Sequence, residues 1–554
     1  MRWIRPLPRA VTRPLSFLLL VAWIGVMAMV VNRSYLRASG SLATDLARYG
    51  TSAEWHGVYY RGEKLGFTVS QTVPSHDESN TDGFELQEDG QLQMSLLGAT
   101  TAAKIRTTAE VDRAFMLKSF EFSLDPGTGP TKVTGQVRGT HITIAVITTA
   151  GTQIEERDLP EPPMLSLNLS RRLADGGLKP GTSHQWNVFD PATLRNAPVR
   201  VDVGRRELVQ AGNTSIPAFR VETEFAGLQI TSWVTDTGEV VREESPMGLI
   251  SVREPASTAK AMAVPGRIRA DLLAAAAVVP ETKQRIDDPR DVRRLRLRLD
   301  GADLSGLDLQ GVGQTASGNV VELHDSSEIN GPVDPDAKQY LLPEPFIESD
   351  APEIRAEAEA TVRQIAGSRA RAEALTRRVN AMLEKKPTVS LPSAREVLRT
   401  KIGDCNEHTV LYVALARAVG IPARIAVGLV LVHGAFYYHA WPEAYIEEGS
   451  RGYWLPVDPT FNQFPADTTH VRLAHGGLEK QASIIPLIGR LRIAVVDLDL
   501  AQGSTPILVG RGPDMAEDPI SRRMPVRPPA RWCLPCFLGH PNAAAALGTP
   551  LGGQ

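Results

Sequence analysis

Three residues in this sequence have the types and spacing for nucleophilic chemistry: Cys405, His439 and Asp458. Cys405 sits in KIGDCNEHTVLYVALARAVGIPAR and is the only cysteine before Cys533. The residues after it place Val410, Leu411, Ala414, Leu415 and Ala418 on one helical face, and Gly420 with Pro422 ends the run. Cys405 is therefore expected at or just before a helix N-terminus, where the helix dipole and backbone N–H groups stabilise a thiolate. The same amides are expected to help hold the oxyanion formed when a thiolate attacks a carbonyl. Such a nucleophile needs a base, and the base an orienting partner. RIAVGLVLV reads as a strand, His439 leads a second, HAWPEAYIE, and Asp458 ends a third, GYWLPVDPTF. Adjacent antiparallel strands would set His439 and Asp458 side by side at one sheet edge.

Zinc is the competing chemistry, because Cys405, His408, His433 and His439 are ligand types that zinc accepts. Their C-x2-H and H-x5-H spacings match no strong zinc signature, so no metal and no cofactor is expected. His408 lies three residues past Cys405 and, with Glu407, is expected to pack under the loop. His470 and His475 fall in a later loop and receive no role. Cys533 and Cys536 form a C-x-x-C without the βαβ setting of a redox motif, which reads as a local disulfide or two idle thiols. A half metal site with His540, or a partner contact, is the rival reading there.

GDCNEHTVLYVALARAVGIPAR, YYHAWPEAY and WLPVDPTF occur in this order, and together they closely resemble the transglutaminase-like superfamily, in particular its exported bacterial members. The likeness runs over about 350–510, including ADTTHVRLAHGG and the closing strand IAVVDLDL. It implies a papain-like α+β fold, with Cys405 as nucleophile, His439 as general base and acid, and Asp458 as the residue orienting it. It also implies a thioester intermediate. Pro442 departs from a regular strand, since proline is tolerated only at a sheet edge or bulge. No side chain stands out as an oxyanion donor. The expected reaction is acyl transfer on protein or peptide amides, with hydrolysis favoured over cross-linking. The alternative is a catalytically silent peptide-binding scaffold of the envelope. No D-x-D-x-D calcium loop is present, so calcium independence is expected.

The elements that must position these residues follow from composition and periodicity. The chain has 554 residues, 42% hydrophobic, with a net charge of −3, which argues against nucleic acid as a partner. Residues 1–14 carry Arg2, Arg5, Arg9 and Arg13, and 15–31 form an uncharged apolar run. That pattern predicts a single-pass signal anchor with the body outside the cytoplasm, a cleaved signal peptide being the rival reading, and the resemblance implies that the membrane is a bacterial inner membrane. Residues 45–255 read as a mostly antiparallel β domain, with turns at Arg61 to Lys64, Asp89-Gly90, Gly151 and Asp236 to Gly238, and a helix over Met164 to Ala174. Residues 256–349 read as a connecting region of strand and linker. In it Leu295, Leu297 and Leu299 alternate with Arg296 and Arg298, the mark of a half-buried strand. From 350 helices begin: Asp350 is read as an N-cap with Glu353 and Pro352 in the first turn, and Ser393 repeats the device with Glu396. The domain at 350–510 is the expected catalytic one, and 511–554 read as a poorly ordered tail. The expected partners are a protein or peptide substrate in the cell envelope and, through the anchor, the membrane. Oligomeric state is not legible.

Overall fold

The structure, a computed structural model, describes residues 53–501 and 507–508, except 76–82, 97–98, 128, 213, 226, 246–247, 263–270, 272–274, 312, 330, 332, 388–389, 477–479 and 481. The expected anchor at 15–31, the basic segment at 1–14 and the tail with Cys533 and Cys536 lie outside the described residues. Among those described, no helix is long and apolar enough to cross a membrane.

The first half of the chain builds one antiparallel sheet of 14 strands. Its strands pair in chain order outward from Glu54–Tyr60 to Gly151–Asp158, and again from Leu249–Arg253 back to Ser183–Asp190. The two runs join where Glu54–Tyr60 pairs with Leu249–Arg253. Arg61 and Gly62, both at positive φ, make the expected first turn, the conformation a tight hairpin needs. Asp89-Gly90 is not a turn. It lies within one long strand, Gly83–Leu96, paired to Val69 and Thr68 on one side and to Arg106 and Ile105 on the other. With ladder partners on both sides the chain continues straight, and Arg106 Nε donates to Asp89 Oδ1 at 2.6 Å. The expected helix begins as a 3-10 turn, Ser166–Asn168, and becomes α-helical over Leu169–Asp175.

A second antiparallel sheet has the order Gln314–Ser317, Val320–His324, Val292–Asp300, Arg492–Leu500. Leu295, Leu297 and Leu299 are buried while the arginines between them face solvent, as their alternation predicts. The strand IAVVDLDL therefore completes a sheet begun two hundred residues earlier, along Val292–Asp300.

Helices Pro352–Val362, Ser368–Met382 and Ala394–Thr400 surround the helix Cys405–Ala418 and pack with it into one core. Ser393 Oγ accepts from the Glu396 N–H at 3.4 Å, as expected of that cap. Asp350 is not a cap: Ala351 holds that position with no side-chain bond, and Pro352 starts the helix at N1, where its missing N–H costs nothing. The four-stranded sheet beside these helices has the order Arg451–Pro456, Ala435–Glu448, Ala423–Val432, Val471–His475. His439 does not lead its strand but sits within Ala435–Glu448, opposite Gly428. Pro442 lies in the same inner strand. Its carbonyl accepts from the Val457 N–H at 3.0 Å, so its missing donor faces the side where the Arg451–Pro456 strand has just ended. That local edge is what makes the proline admissible.

Leu297→Ala should lower unfolding free energy by about 2–5 kcal/mol, through lost burial and the cavity left behind. Arg296→Ala should change it by about 0.5 kcal/mol or less. Urea titration checks both, and equal effects would contradict the assigned strand faces.

Candidate active site

Cys405 opens its helix because Asp404 caps it. The Asp404 side chain accepts from the Asn406 N–H at 3.0 Å and from the Glu407 N–H, while Glu407 Oε2 accepts from the Asp404 N–H at 2.8 Å. This capping box secures the helix start. It also engages the Asn406 and Glu407 amides, so these two are not donors for an oxyanion as the sequence had suggested. Cys405 is fully buried. One turn along the helix, Thr409 Oγ1 donates to the Ala440 carbonyl at 3.1 Å, tying the cysteine helix to the residue after His439.

His439 and Asp458 come together. His439 Nε2 lies 2.7 Å from Asp458 Oδ2, with the two side chains 1% and 0% exposed. His439 Nδ1, at the opposite end of the ring, has no hydrogen-bond partner among the described residues. The ring is bracketed by Trp441, stacked at 6.1 Å and 20°, and by Phe461 at 5.0 Å. Asp458 sits just past the end of the Arg451–Pro456 strand, in a turn that returns as Gln463 exchanges backbone bonds with it. Its Oδ1 accepts from the N–H groups of Thr460 at 2.7 Å and Phe461 at 3.1 Å. From the neighbouring helix Asn380 Nδ2 donates to the carbonyls of Pro459 at 2.7 Å and Thr460 at 3.2 Å, fixing that turn.

A second histidine was missed. His470, just before the strand Val471–His475, places Nε2 3.1 Å from the same Asp458 Oδ2 and Nδ1 3.2 Å from Asp467 Oδ1. Burial would raise the pKa of Asp458, but the charge and hydrogen bonds of His439 and His470 outweigh it and hold the carboxylate far below its usual range. Burial would lower that of His470, but the Asp467 charge and the hydrogen bonds to both aspartates raise it to about 10. The one available signal was Asp467-x-x-His470, a carboxylate three residues from a histidine, which by itself does not announce Asp458.

Among the described residues, His439, Asp458 and His470 are also the group whose ligand atoms lie close enough, within 4.8 Å, to consider for a metal. Two donors at about 2.1 Å from a tetrahedral zinc stand roughly 3.4 Å apart. The 2.7 and 3.1 Å separations to Asp458 Oδ2 are instead those of direct N–H···O bonds. These residues therefore do not fit a metal as arranged. Of the zinc candidates by sequence, His408 has its Nδ1 2.6 Å from the Asp404 carbonyl and is not in that group. His475, given no role from the sequence, bonds Asp308.

Residues 355–459 match the model of the transglutaminase-like superfamily. These residues are a transglutaminase-like domain. The match spans Cys405, His439 and Asp458 and stops before His470. Among solved structures the chain is similar to a candidate cysteine protease from Cytophaga hutchinsonii, at 18% identity and a TM-score of 0.26, over 38% of this chain and 89% of that one. It is also similar to a β-barrel-like domain of unknown function from Brucella abortus, at 12% identity and a TM-score of 0.29, over 36% and 94%. A candidate protease from Parabacteroides distasonis gives 11% identity and a TM-score of 0.18, over 63% and 69%. A search among curated proteins finds no match.

Within the transglutaminase-like domain His408 is fully buried, with its Nδ1 2.6 Å from the Asp404 carbonyl. Burial lowers its pKa to about 4, and its Nε2 has no partner among the described residues. A histidine kept neutral in the fold binds fewer protons there than in the unfolded chain. Its contribution to stability is therefore present above about pH 6.5 and lost as pH falls toward 4. His408→Asn retains a donor for the Asp404 carbonyl without the titration. Thermal melting between pH 7 and 4 should fall less steeply for this variant than for wild type, and parallel curves would contradict the assignment.

Proposed function

We propose that this protein is a thiol-dependent acyl-transfer enzyme acting on protein or peptide amides, with Cys405, His439 and Asp458 as its catalytic triad. The observation that carries the reading is the buried 2.7 Å contact between His439 Nε2 and Asp458, on a strand tied to the Cys405 helix by Thr409. With Nε2 on Asp458, His439 has only Nδ1 for proton transfer to and from a nucleophile, and that nitrogen has no other partner among the described residues.

Catalysis requires Cys405 reduced. Its proton passes to His439, giving a thiolate and an imidazolium, with Asp458 stabilising the imidazolium. The helix dipole favours the thiolate, while the Asp404 carboxylate one residue away opposes it, so the imidazolium is the decisive positive charge. The thiolate attacks the amide carbonyl carbon, and the C=O electrons move onto oxygen. As they return, the C–N bond breaks and the amine leaves with the proton from His439. The acyl group remains on Cys405 as a thioester. Water then attacks, giving its proton to His439, and the carboxylic acid and thiol are released; an amine in place of water would give a new amide. Hydrolysis is the main reaction in this reading. The site acts outside the cytoplasm of a bacterium, on substrates of the cell envelope, with 15–31 as its anchor in the inner membrane.

The test is the pH dependence of Cys405 alkylation by iodoacetamide in the reduced body of the protein, from about residue 45, with Cys533 and Cys536 changed to Ser. Labelling well below pH 7 should occur in wild type and fall by about tenfold or more in His439→Gln. Hydrolysis of any amide found by screening should drop on the order of 10³-fold or more in Cys405→Ala. Labelling with the pH profile of an ordinary thiol would point instead to a silent peptide-binding scaffold.

A further inference from the structure

We propose that His470 is a positioning residue of this centre: through Asp458 it fixes the orientation of the carboxylate that His439 depends on and offsets part of its charge. The inference rests on the triad reading above and adds a residue to it. A carboxylate offers two oxygens, and here each has its own task. Oδ1 takes the Thr460 and Phe461 amides, and Oδ2 is shared by the two histidines at 2.7 and 3.1 Å. His470 is itself oriented by Asp467, whose Oδ1 and backbone carbonyl lie 3.2 and 3.0 Å from Nδ1. A ring with carboxylates at both nitrogens donates from both, and an imidazole that donates from both nitrogens is an imidazolium. Its raised pKa agrees with that geometry.

The consequence concerns proton transfer. An isolated buried aspartate would hold the His439 imidazolium so firmly that its proton would be slow to reach a leaving amine. A second imidazolium on the same oxygen weakens that hold. The rings of His439 and His470 are 5.8 Å apart, near enough for direct repulsion as well. Other charged or titratable groups surround them: His408 acts on Asp458 from the cysteine helix, and His324, Glu443 and Arg472 line a small cavity shared with His470. Glu443 and Arg472 pair with each other at 3.1 Å, which leaves the aspartates dominant.

The experiment is the same alkylation profile, extended to pH 10. A thiolate–imidazolium pair gives two steps: one where the pair forms and a second where the imidazolium loses its proton. His470→Gln keeps a donor toward Asp458 but removes the charge. Its second step should move to higher pH by about 1–2 units, the size expected for deleting a unit charge about 5.8 Å away at an effective dielectric of about 20. Asp467→Asn, which withdraws one of the carboxylates holding His470 charged, should move it the same way. Labelling on the plateau should be preserved better in His470→Gln than in His470→Ala. If both His470→Gln and Asp467→Asn fold, by near-ultraviolet circular dichroism, and their second step stays at the wild-type position, the inference is overturned while the triad stands. A wild-type profile with a single ordinary thiol step would overturn the triad reading itself.

Discussion

Taking an ionised carboxylate out of water costs several kcal/mol unless its oxygens are fully met by donors, and Asp458 is wholly buried. The chain supplies four such donors to it: two backbone amides from its own turn and two imidazoles, one from within the strand Ala435–Glu448 and one from just before Val471–His475. Much of the local architecture follows from that requirement. The turn after Pro456 has to fold back for Thr460 and Phe461 to reach Oδ1, and Asn380 on a neighbouring helix holds it there. The strand Ala435–Glu448 must present His439 from its middle, which places Pro442 where the adjacent strand has ended. Position and charge at this site are therefore one problem with one solution.

The two sheets divide the work. The sheet carrying His439 orients the polar centre, and the one built on Val292–Asp300 contributes Leu295, Leu297 and Leu299 to the apolar core that the helices share. A buried network joins them: Arg424 Nε donates to Glu443 Oε2 at 2.7 Å, Arg472 meets Glu443 Oε1 at 3.1 Å, and the Arg472 N–H donates to Gln314 Oε1 at 2.8 Å. Breaking such a pair by removing one partner leaves a buried charge uncompensated, so this network enforces the register between the two sheets. The β domain reaches the same body through Phe346 and Leu391, which enter its core from the second half of the chain.

What could be read from the sequence was what is local. The Leu295–Leu297–Leu299 alternation, the Ser393 cap and the helix opening at Cys405 each depend on residues a few positions apart, and all appear in the fold. Asp89-Gly90 has the composition of a turn, yet ladder partners on both sides override it. Asp350 has the composition of a cap, but Pro352 moves the helix start one residue along. His439 and Asp458 were legible because motif order stood in for spatial proximity. His470 was not, because its meaning lies in sharing Asp458 Oδ2 with a residue thirty-one positions earlier, a relation that no spacing rule expresses.

If Asp458 is the constraint on which the centre depends, its charge should be felt at Cys405 even though the two residues are on different elements. The direct measurement is the alkylation rate of reduced Cys405 at pH 6 in Asp458→Asn, with folding verified by near-ultraviolet circular dichroism. Asparagine matches the carboxylate in shape but cannot stabilise an imidazolium. The account predicts a rate at least about tenfold below wild type in a folded protein. A folded Asp458→Asn variant labelled as fast as wild type would contradict it.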